Sequence, residues 1–528
     1  MPLRFFRRPR ARTATWLVGA AALALPFAVG GFVRQADDPP NGARLLTQVL
    51  ERVDRFAVDS TSREELYEKA ARGLVEELGD PYAALFSPKE LAAFTREEIG
   101  NDYGGLGVQI EDQAGTATVT QVFPNTPAAE GGVLAGDRIV RVDTTATPGK
   151  SLDAVSGLLL GPAGTPVTVT FNRAGVTEPI TSRFTRAAVH IPAVPYTLVL
   201  DGGVGYVPLQ RFNASAGAEM AAALVRLQRA GARSYVLHLR GNTGGDVDQS
   251  LMISELFLRQ GQELASLRWR GDSVDRYTAR RPALVPEAPV VVLTDGMTAS
   301  ASEIVTGSLQ DHDRALVVGT PSFGKGLVQS VYPLNGGWAL KLTTAKWFTP
   351  SGRSIQRERG ANGQPVAMPD SARPVFRSDA GRTVLGGGGI TPDVAVRPDT
   401  LTTVEQDFLR ALAPKASASN TALYDLAREL RGRIQPNFTV QPEWRADYRR
   451  RLEAAGVKFQ PGQFERATSV VDQLIEQRVA SLAFGDSTAF RRWVPQDVQL
   501  VRAMELLQKA PSQAALLALV RPVRGERS

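Results

Sequence analysis

The stretch VVVLTDGMTASASEIVTGSLQDHDRALVVGTPSFGKGLVQ, from Val290 to Gln329, decides how the rest of the chain is read. Pro289 and the β-branched run Val290 to Leu293 predict a short buried strand. The turn Thr294-Asp295-Gly296 follows, and a helix then opens near Ser300, with Ile304, Val305, Ser308 and Leu309 at helical spacing. A second strand, Ala315 to Val318, ends at Gly319, and Lys325 lies just beyond it between two glycines. Ser300 therefore sits where a strand-to-helix turn exposes a hydroxyl beside the unpaired amides of a helix N-terminus. Lys325 is a candidate base, and Gln329 follows it at i+4.

Each of these residues also has a plain structural reading. Ser300-Ala301-Ser302-Glu303 fits a capping box, and a lone lysine is usually solvated. Gly319 to Gly326 nearly spells a phosphate-binding loop. Position 326 is Gly where a Mg²⁺-ligating hydroxyl belongs, and Pro321 removes one of the amides, which argues against nucleotide binding.

Composition narrows the field. With 528 residues, 43% of them apolar, the chain can bury a sizeable core in roughly two to four domains. The net charge is +7, of which Arg4, Arg7, Arg8, Arg10 and Arg12 supply five, leaving +2 over everything after them. The basic balance belongs to the extreme N-terminus and is no argument for nucleic acid. The absence of cysteine excludes a thiol nucleophile, a disulfide framework and a thiolate metal site. Only His190, His238 and His312 are present, without an HExxH pair, so a zincin is excluded. No metal or cofactor is implied.

The five arginines precede Trp16 to Val33, an uncharged and largely apolar run of eighteen residues. This is the pattern of an exported protein, with either a signal peptide or a signal anchor held with its basic end inside. Arg34 and Gln35 make a poor cleavage site before Ala36, and no cysteine follows to make a lipoprotein. The expected location is the periplasm or cell envelope, with inner-membrane anchoring as the alternative to cleavage. A Pro-containing link, Asp37 to Gly42, leads to residues 43 to 99, which read as helical. Leu45, Leu46, Val49, Leu50, Val53 and Phe56 share one face, and Leu66, Ala70, Leu74, Val75 and Leu78 another. The expected role is a helical cap on a larger core.

From Tyr103 the composition changes. Gly104 to Val108 opens a strand, and Thr118 to Val122 forms a second. Pro124 to Ala129 turns into a short helix, Leu134 to Asp143 feeds a strand, Ala154 to Leu160 is helical, and Pro166 to Asn172 is a last strand. In this order, with GGLG at 104–107 and AGDRIVRVD at 135–143, the segment 101–187 resembles a PDZ domain. The resemblance implies that successive amides at Leu106, Gly107 and Val108 form a nest for a peptide's C-terminal carboxylate, while the following strand edge pairs with the peptide.

From His190 onward the pattern is α/β. Val204 to Leu209 and Tyr235 to Leu239 are strands, Ala216 to Ala230 and Val247 to Leu258 helices. Arg240-Gly241-Asn242-Thr243-Gly244-Gly245 lies at the C-terminal end of a buried strand, where open α/β sheets place their sites. The amides of Gly244 and Gly245 are candidate oxyanion donors, because glycine lets backbone approach a ligand closely; a plain strand-to-helix turn uses glycine too.

The order YVLHLRGNTGG, TASASEIVTGSLQD, GTPSFGKGLVQ, AKWFTPSGRSIQ and GGGGITPDVAV, behind a PDZ domain, resembles the C-terminal processing peptidases, or tail-specific proteases, over residues 45 to 398. The resemblance implies an exported serine endopeptidase working through an acyl-enzyme. Ser300 would be the nucleophile, Lys325 the general base and Gln329 the residue that orients the lysine. The amide of Ala301, with one of the amides of Gly244 or Gly245, would form the oxyanion hole. Asp295-Gly296-Met297-Thr298 departs from the Asn and Gly-Ser common before the serine, a change in the turn and not in the dyad. The chemistry agrees. A serine needs a base within hydrogen-bond reach, and a lysine with the ordinary pKa of about 10.4 is protonated at neutral pH. Desolvation favours the neutral amine, and Phe323, Leu327 and Val328 could supply it. In an extended segment Lys325 and Gln329 share a face. A histidine triad is the rival, but none of the three histidines has a site context.

Gly360 to Pro374 and Gly386 to Gly389 carry loop signals. Residues 401 to 510 are helical, with one stripe at Val470, Val471, Leu474, Ile475, Val479 and Leu482, and another at Val498, Leu500, Val501, Met504, Leu506 and Leu507. A packed appendage accounts for these stripes, with a homo-oligomer contact through them as the alternative. The chain is thus read as a multidomain α/β (α+β) protein. Its expected parts are a signal or anchor with linker (1–40), a helical region (41–100), a PDZ domain (101–187), an α/β peptidase core (188–398) and a helical C-terminal region (399–528). Expected substrates are proteins or peptides with nonpolar C-termini. A catalytically silent PDZ adaptor of the cell envelope is the alternative function.

Overall fold

Buried aliphatic runs with period-two alternation build the sheet that carries the site. In the strand Val290–Thr294, Val290 and Val292 face one core while Val291 and Leu293 face another, and all are fully buried. Both faces are therefore covered, as an internal strand of a mostly parallel sheet requires. The structure, a computed structural model, describes residues 41–520 apart from 97–99, 101, 114, 124, 174–175, 359, 361–365 and 367. The N-terminal segment expected to direct export lies outside the described residues. No helix among the described residues is long and apolar enough to cross a membrane.

The chain divides into two units, Met1–Leu74 and Val75–Ser528. The first contributes the helix Asn41–Phe56 and most of the helix Arg63–Glu76. Leu45, Leu46, Val49, Val53 and Phe56, expected on one face, are exposed.

In the second unit the central sheet has the order Leu198–Leu200, Val204–Pro208, Ser234–His238, Val290–Thr294, Leu316–Gly319, Val394–Ala395. Only the Leu198–Leu200 edge strand is antiparallel. The helix Ala301–Asp311 is buried along its whole length, with Ala301, Val305 and Leu309 against this sheet. On its other side Ile304 packs with Ala345, Trp347, Ile355 and Ile390. There a second, antiparallel sheet runs Ala84–Phe86, Ala339–Phe348, Glu263–Trp269, Val274–Thr278, with Leu327–Pro333 also paired to Ala339–Phe348.

The PDZ region holds a separate sheet of Val108–Gln113, Thr116–Val122, Arg138–Val142, Pro166–Asn172 and Ile180–Thr185, with Thr145–Ala146 beside the third. The single strand expected to open at Gly104 is two. Asp102–Gly105 pairs with Ala187–His190 instead of joining this sheet. The break falls at Gly107, whose φ of +81° is the left-handed conformation that suits glycine, and where a β-carbon would stand 2.4 Å from Thr126 Cβ. Pro166–Asn172 is also not the last strand, since Ile180–Thr185 pairs along its length.

The C-terminal helices are packed, as expected. Val470, Val471, Ile475 and Val479 share a core with Phe408, Tyr448 and Leu452. Leu500, Ala503, Leu506, Leu507, Leu516 and Leu517 cover the second face of the central sheet against Tyr206, Val236, Val291 and Leu293. Each valine, leucine or isoleucine among them taken out of water contributes about 1.5–3 kcal/mol. Most of both stripes is thus packed inside the chain, while Val498 and Val501 are half-buried outside these clusters.

Candidate active site

The turn after Val290–Thr294 forces Ser300 into an uncommon conformation, φ 55° and ψ −116°, at the N-terminus of the helix Ala301–Asp311. Such a residue is held by its surroundings and is frequent at functional sites. Asp295 accepts from the amides of Met297 and Thr298, both at 3.0 Å, and Thr298 Oγ1 donates to Leu239 O at 2.9 Å. Ala299 N donates to Asn242 O at 3.0 Å. Ser300 occupies the capping-box position. Its N–H donates to Glu303 Oε2 at 2.8 Å and its carbonyl accepts from Glu303 N at 2.7 Å, but its hydroxyl makes no side-chain cap hydrogen bond.

Glu303 reaches further than a cap. It is completely buried and also accepts from Ser322 Oγ, from Gly324 N at 2.7 Å and from Lys325 N at 2.9 Å. Burial pushes its carboxyl above the ordinary range, against the pull of these donors. One carboxylate thus fastens the backbone of Ser300 to that of Lys325, 25 residues apart in sequence. The amides a phosphate loop would present at Gly324 and Lys325 are directed to Glu303, so the resemblance to such a loop ends there. Trp347 Nε1 donates to Lys325 O at 2.9 Å, and Gly326 N donates to Gln356 Oε1 at 2.8 Å, completing the hold on this loop.

The glycine turn lies alongside. A β-carbon on Gly244 would stand 2.7 Å from Ala299 O and 2.9 Å from Ala301 N, at a φ of +100° that a larger residue avoids. Asn242 is buried and arranges this turn: its Nδ2 donates to Leu209 O at 2.7 Å and its Oδ1 accepts from Gly244 N at 2.9 Å. Gly245 bridges to Phe212, whose flanking amides tie the turn to the neighbouring segment: Phe212 N donates to Gly244 O and Asp246 N to Phe212 O.

Ser300, Lys325, Gln329, Gly244 and Gly245 line one cleft of about 570 Å³. Ala301, fully buried, begins the helix at its base. The strand Leu327–Pro333 starts two residues after Lys325, and its register shifts between Val328 and Gln329. The alternation expected to carry from 325 to 329 is therefore interrupted, although both residues reach the cleft. Gln329 Nε2 donates to Thr343 Oγ1 at the long distance of 3.4 Å. Tyr82 covers Lys325, with its ring centroid 4.5 Å from Nζ. Phe86 and Phe94, stacked at 4.9 Å, form an aromatic wall of the same cleft beside Lys341.

None of the three histidines lines this cleft. His238 is buried, its pKa lowered to about 3 by burial and then by the Arg240 charge. Arg240 Nε donates to His238 Nε2 at 3.1 Å, so the ring proton is on Nδ1, which faces Tyr206 Oη.

Leu106, Gly107 and Val108 line a second cleft, of about 400 Å³. The carbonyls of Leu106 and Gly107 accept from Ala128 and Phe123 amides, both at 2.9 Å. In a trans peptide the next N–H points the opposite way. The amides of Gly107 and Val108 therefore face away from those partners.

Spacing in the sequence marks Glu303 only as half of a cap, and Asn242 only as a member of the glycine motif without a role of its own. Nothing local marks Tyr82, Phe86 or Phe94.

The sequence pattern of peptidase family S41 matches residues 203–363, and that of the PDZ domain matches 118–173. The chain is 38% identical over 312 residues to the carboxy-terminal-processing protease of Bartonella bacilliformis, covering 58% of this chain and 71% of that one. It is 29% identical over 383 residues to the carboxy-terminal processing protease CtpA of Bacillus subtilis, covering 72% and 78%. Among solved structures it aligns with a photosystem II D1 C-terminal processing protease at 29% identity and a TM-score of 0.36, covering 70% of this chain and 96% of that one. The chain belongs to the carboxy-terminal-processing proteases, serine peptidases of family S41 that carry a PDZ domain.

Proposed function

We propose that peptide bonds are cleaved by a dyad of Ser300 and Lys325. The observation that carries this reading is the strained Ser300 sharing a cleft with Lys325, their backbones joined through Glu303. The neutral Lys325 amine takes the Ser300 hydroxyl proton as Oγ attacks the scissile carbonyl, then returns a proton to the leaving amine. Water repeats the sequence on the acyl-enzyme and releases the acid. Gln329 orients the lysine, its amide oxygen accepting from the ammonium and not raising its pKa as a carboxylate would.

The developing oxyanion is received by the Ala301 amide at the helix N-terminus and, of the two glycines, by Gly245. The Gly244 N–H is already committed to Asn242 Oδ1. Tyr82 screens one side of the lysine from water. The PDZ nest at Leu106, Gly107 and Val108 captures substrates by a nonpolar C-terminus, and the basic and apolar N-terminal run directs export to the periplasm or cell envelope, as cleaved signal or membrane anchor.

Gel-based proteolysis of a nonpolar-tailed protein tests the dyad. Ser300→Ala and Lys325→Ala should each lose cleavage by at least about a thousandfold. Cleavage by Ser300→Ala at the wild-type rate overturns the assignment, and loss in neither variant would fit the silent adaptor contaminated by another protease.

A further inference from the structure

We propose that Arg211 is the charged ligand for a substrate's C-terminal carboxylate in the PDZ cleft, acting beside the amide nest of Leu106, Gly107 and Val108. The proposal rests on reading that cleft as the peptide-capture site. Arg211 comes from outside the PDZ sheet, just beyond the peptidase strand Val204–Pro208, yet it lines the same cleft as the nest. Val108, Ile110, Leu159 and Leu160 give the cleft an apolar wall, beside Tyr103, Ser156 and Arg96. The cleft therefore offers hydrogen-bond donors at one part and hydrocarbon at another, the pattern of a chain end bearing an apolar side chain beside a carboxylate.

The second observation is what Arg211 lacks. It is half-buried, and its guanidinium makes no hydrogen bond or ion pair with any described residue. Two nearby arginines show the contrast. Arg186 donates to the carbonyls of Leu158 and Leu159, and Arg240 to Asp497 and Gln499. The Arg211 nitrogens are not among the buried unpartnered ones, so the guanidinium stays accessible to an anion entering the cleft. A carboxylate there engages it through two parallel charge-assisted hydrogen bonds, a geometry that suits Arg better than Lys. Arg96 lines the same cleft and adds to its positive sign.

The backbone at Arg211 is fixed on both sides. Gln210 N donates to Ala193 O at 2.9 Å, and Phe212 N donates to Gly244 O at 3.2 Å. The side chain is therefore presented from a set position. One residue further, the same segment supports the glycine turn proposed for the oxyanion.

The test uses the full chain carrying Ser300→Ala, so that binding is read without cleavage. A fluorescein-labelled peptide with an apolar C-terminal residue is titrated as the free acid and as the C-terminal amide, by fluorescence anisotropy. The parent is expected to prefer the acid. Arg211→Gln should weaken acid binding about tenfold and leave the amide unchanged. Arg211→Lys should keep part of the preference, and thermal unfolding midpoints establish that both variants fold. If Arg211→Gln keeps the full acid-over-amide preference, or weakens both peptides equally, the assignment to Arg211 is wrong while the capture reading stands. A parent that binds acid and amide alike overturns the capture reading and the proposal with it.

Discussion

Glu303 accepts four hydrogen bonds with two oxygens, and the donors come from both candidate catalytic segments. Replacing it by glutamine keeps the volume but turns an amide NH₂ toward N–H donors, so at least one contact becomes repulsive. A hydrogen bond to a charged group contributes about 1.5–3 kcal/mol, and a buried donor left unmatched costs a similar amount. Glu303→Gln is expected to lower kcat at least tenfold with KM changed little, because the loss is in alignment of Ser300 with Lys325 and not in substrate contacts. The unfolding midpoint should fall as well. Steady-state kinetics beside a thermal melt checks this; an unchanged kcat in a destabilised variant would leave Glu303 a purely structural residue.

At the scale of elements, the short strand Ala84–Phe86 has its importance through its pairing with Ala339–Phe348, in the register Ala84 to Lys341 and Phe86 to Ala339. That pairing, with the helix Pro88–Phe94 closed by a capping box at Ser87 and Glu90, holds the stacked Phe86 and Phe94 at the cleft. The expected substrate side chain there is apolar, since Leu327 and Val331 line the same cleft as the two rings. Phe94→Ala removes part of this surface. KM for a substrate with a large apolar residue near the scissile bond should rise about tenfold, while a substrate with alanine there is affected much less. Equal changes for both substrates would show that the aromatic pair does not contact that side chain. The strand's position was not legible from the residues around it. Its three residues carry no alternation long enough to read, and only the edge of Ala339–Phe348 makes them a strand.

Over the whole molecule, the C-terminal helices are joined to the glycine turn through one chain of contacts. Arg240, at the start of that turn, donates to Asp497 and to Gln499 Oε1 at 2.7 Å, and on its other side to His238 Nε2. Burial pushes the Asp497 carboxyl up, but hydrogen bonds and charge from Arg240 outweigh it and hold the carboxyl below its ordinary value. His238 must stay neutral here, because its Nε2 accepts from a guanidinium. The unfolded chain binds a proton at this residue near pH 6.5, whereas the folded chain does so only at about 3. The contribution to stability is therefore complete above pH 6.5 and is lost progressively as the pH falls toward 3, by up to about 1.4 kcal/mol per pH unit. The drop in unfolding midpoint from pH 7 to pH 5 should be smaller in His238→Gln than in the parent; parallel slopes would mean that this ring does not drive the acid sensitivity.

What the residues determined by themselves was local. The β-branched runs placed the central strands, glycines placed the turns, and Ser300, Lys325, Gln329 and the Gly244-Gly245 pair were legible as candidates from their motifs and their positions after strand ends. These features depend on neighbours a few positions away, which the linear order reports directly. The tertiary structure alone decided the rest. It brought Glu303 to the amides of Gly324 and Lys325, committed Gly244 to Asn242, interrupted the alternation between Lys325 and Gln329, covered most of the C-terminal stripes, and placed Arg211 in a cleft made mostly by the PDZ region. Hydrogen-bond partners and burial are set by residues tens or hundreds of positions apart, and spacing along the chain carries no record of which of them meet.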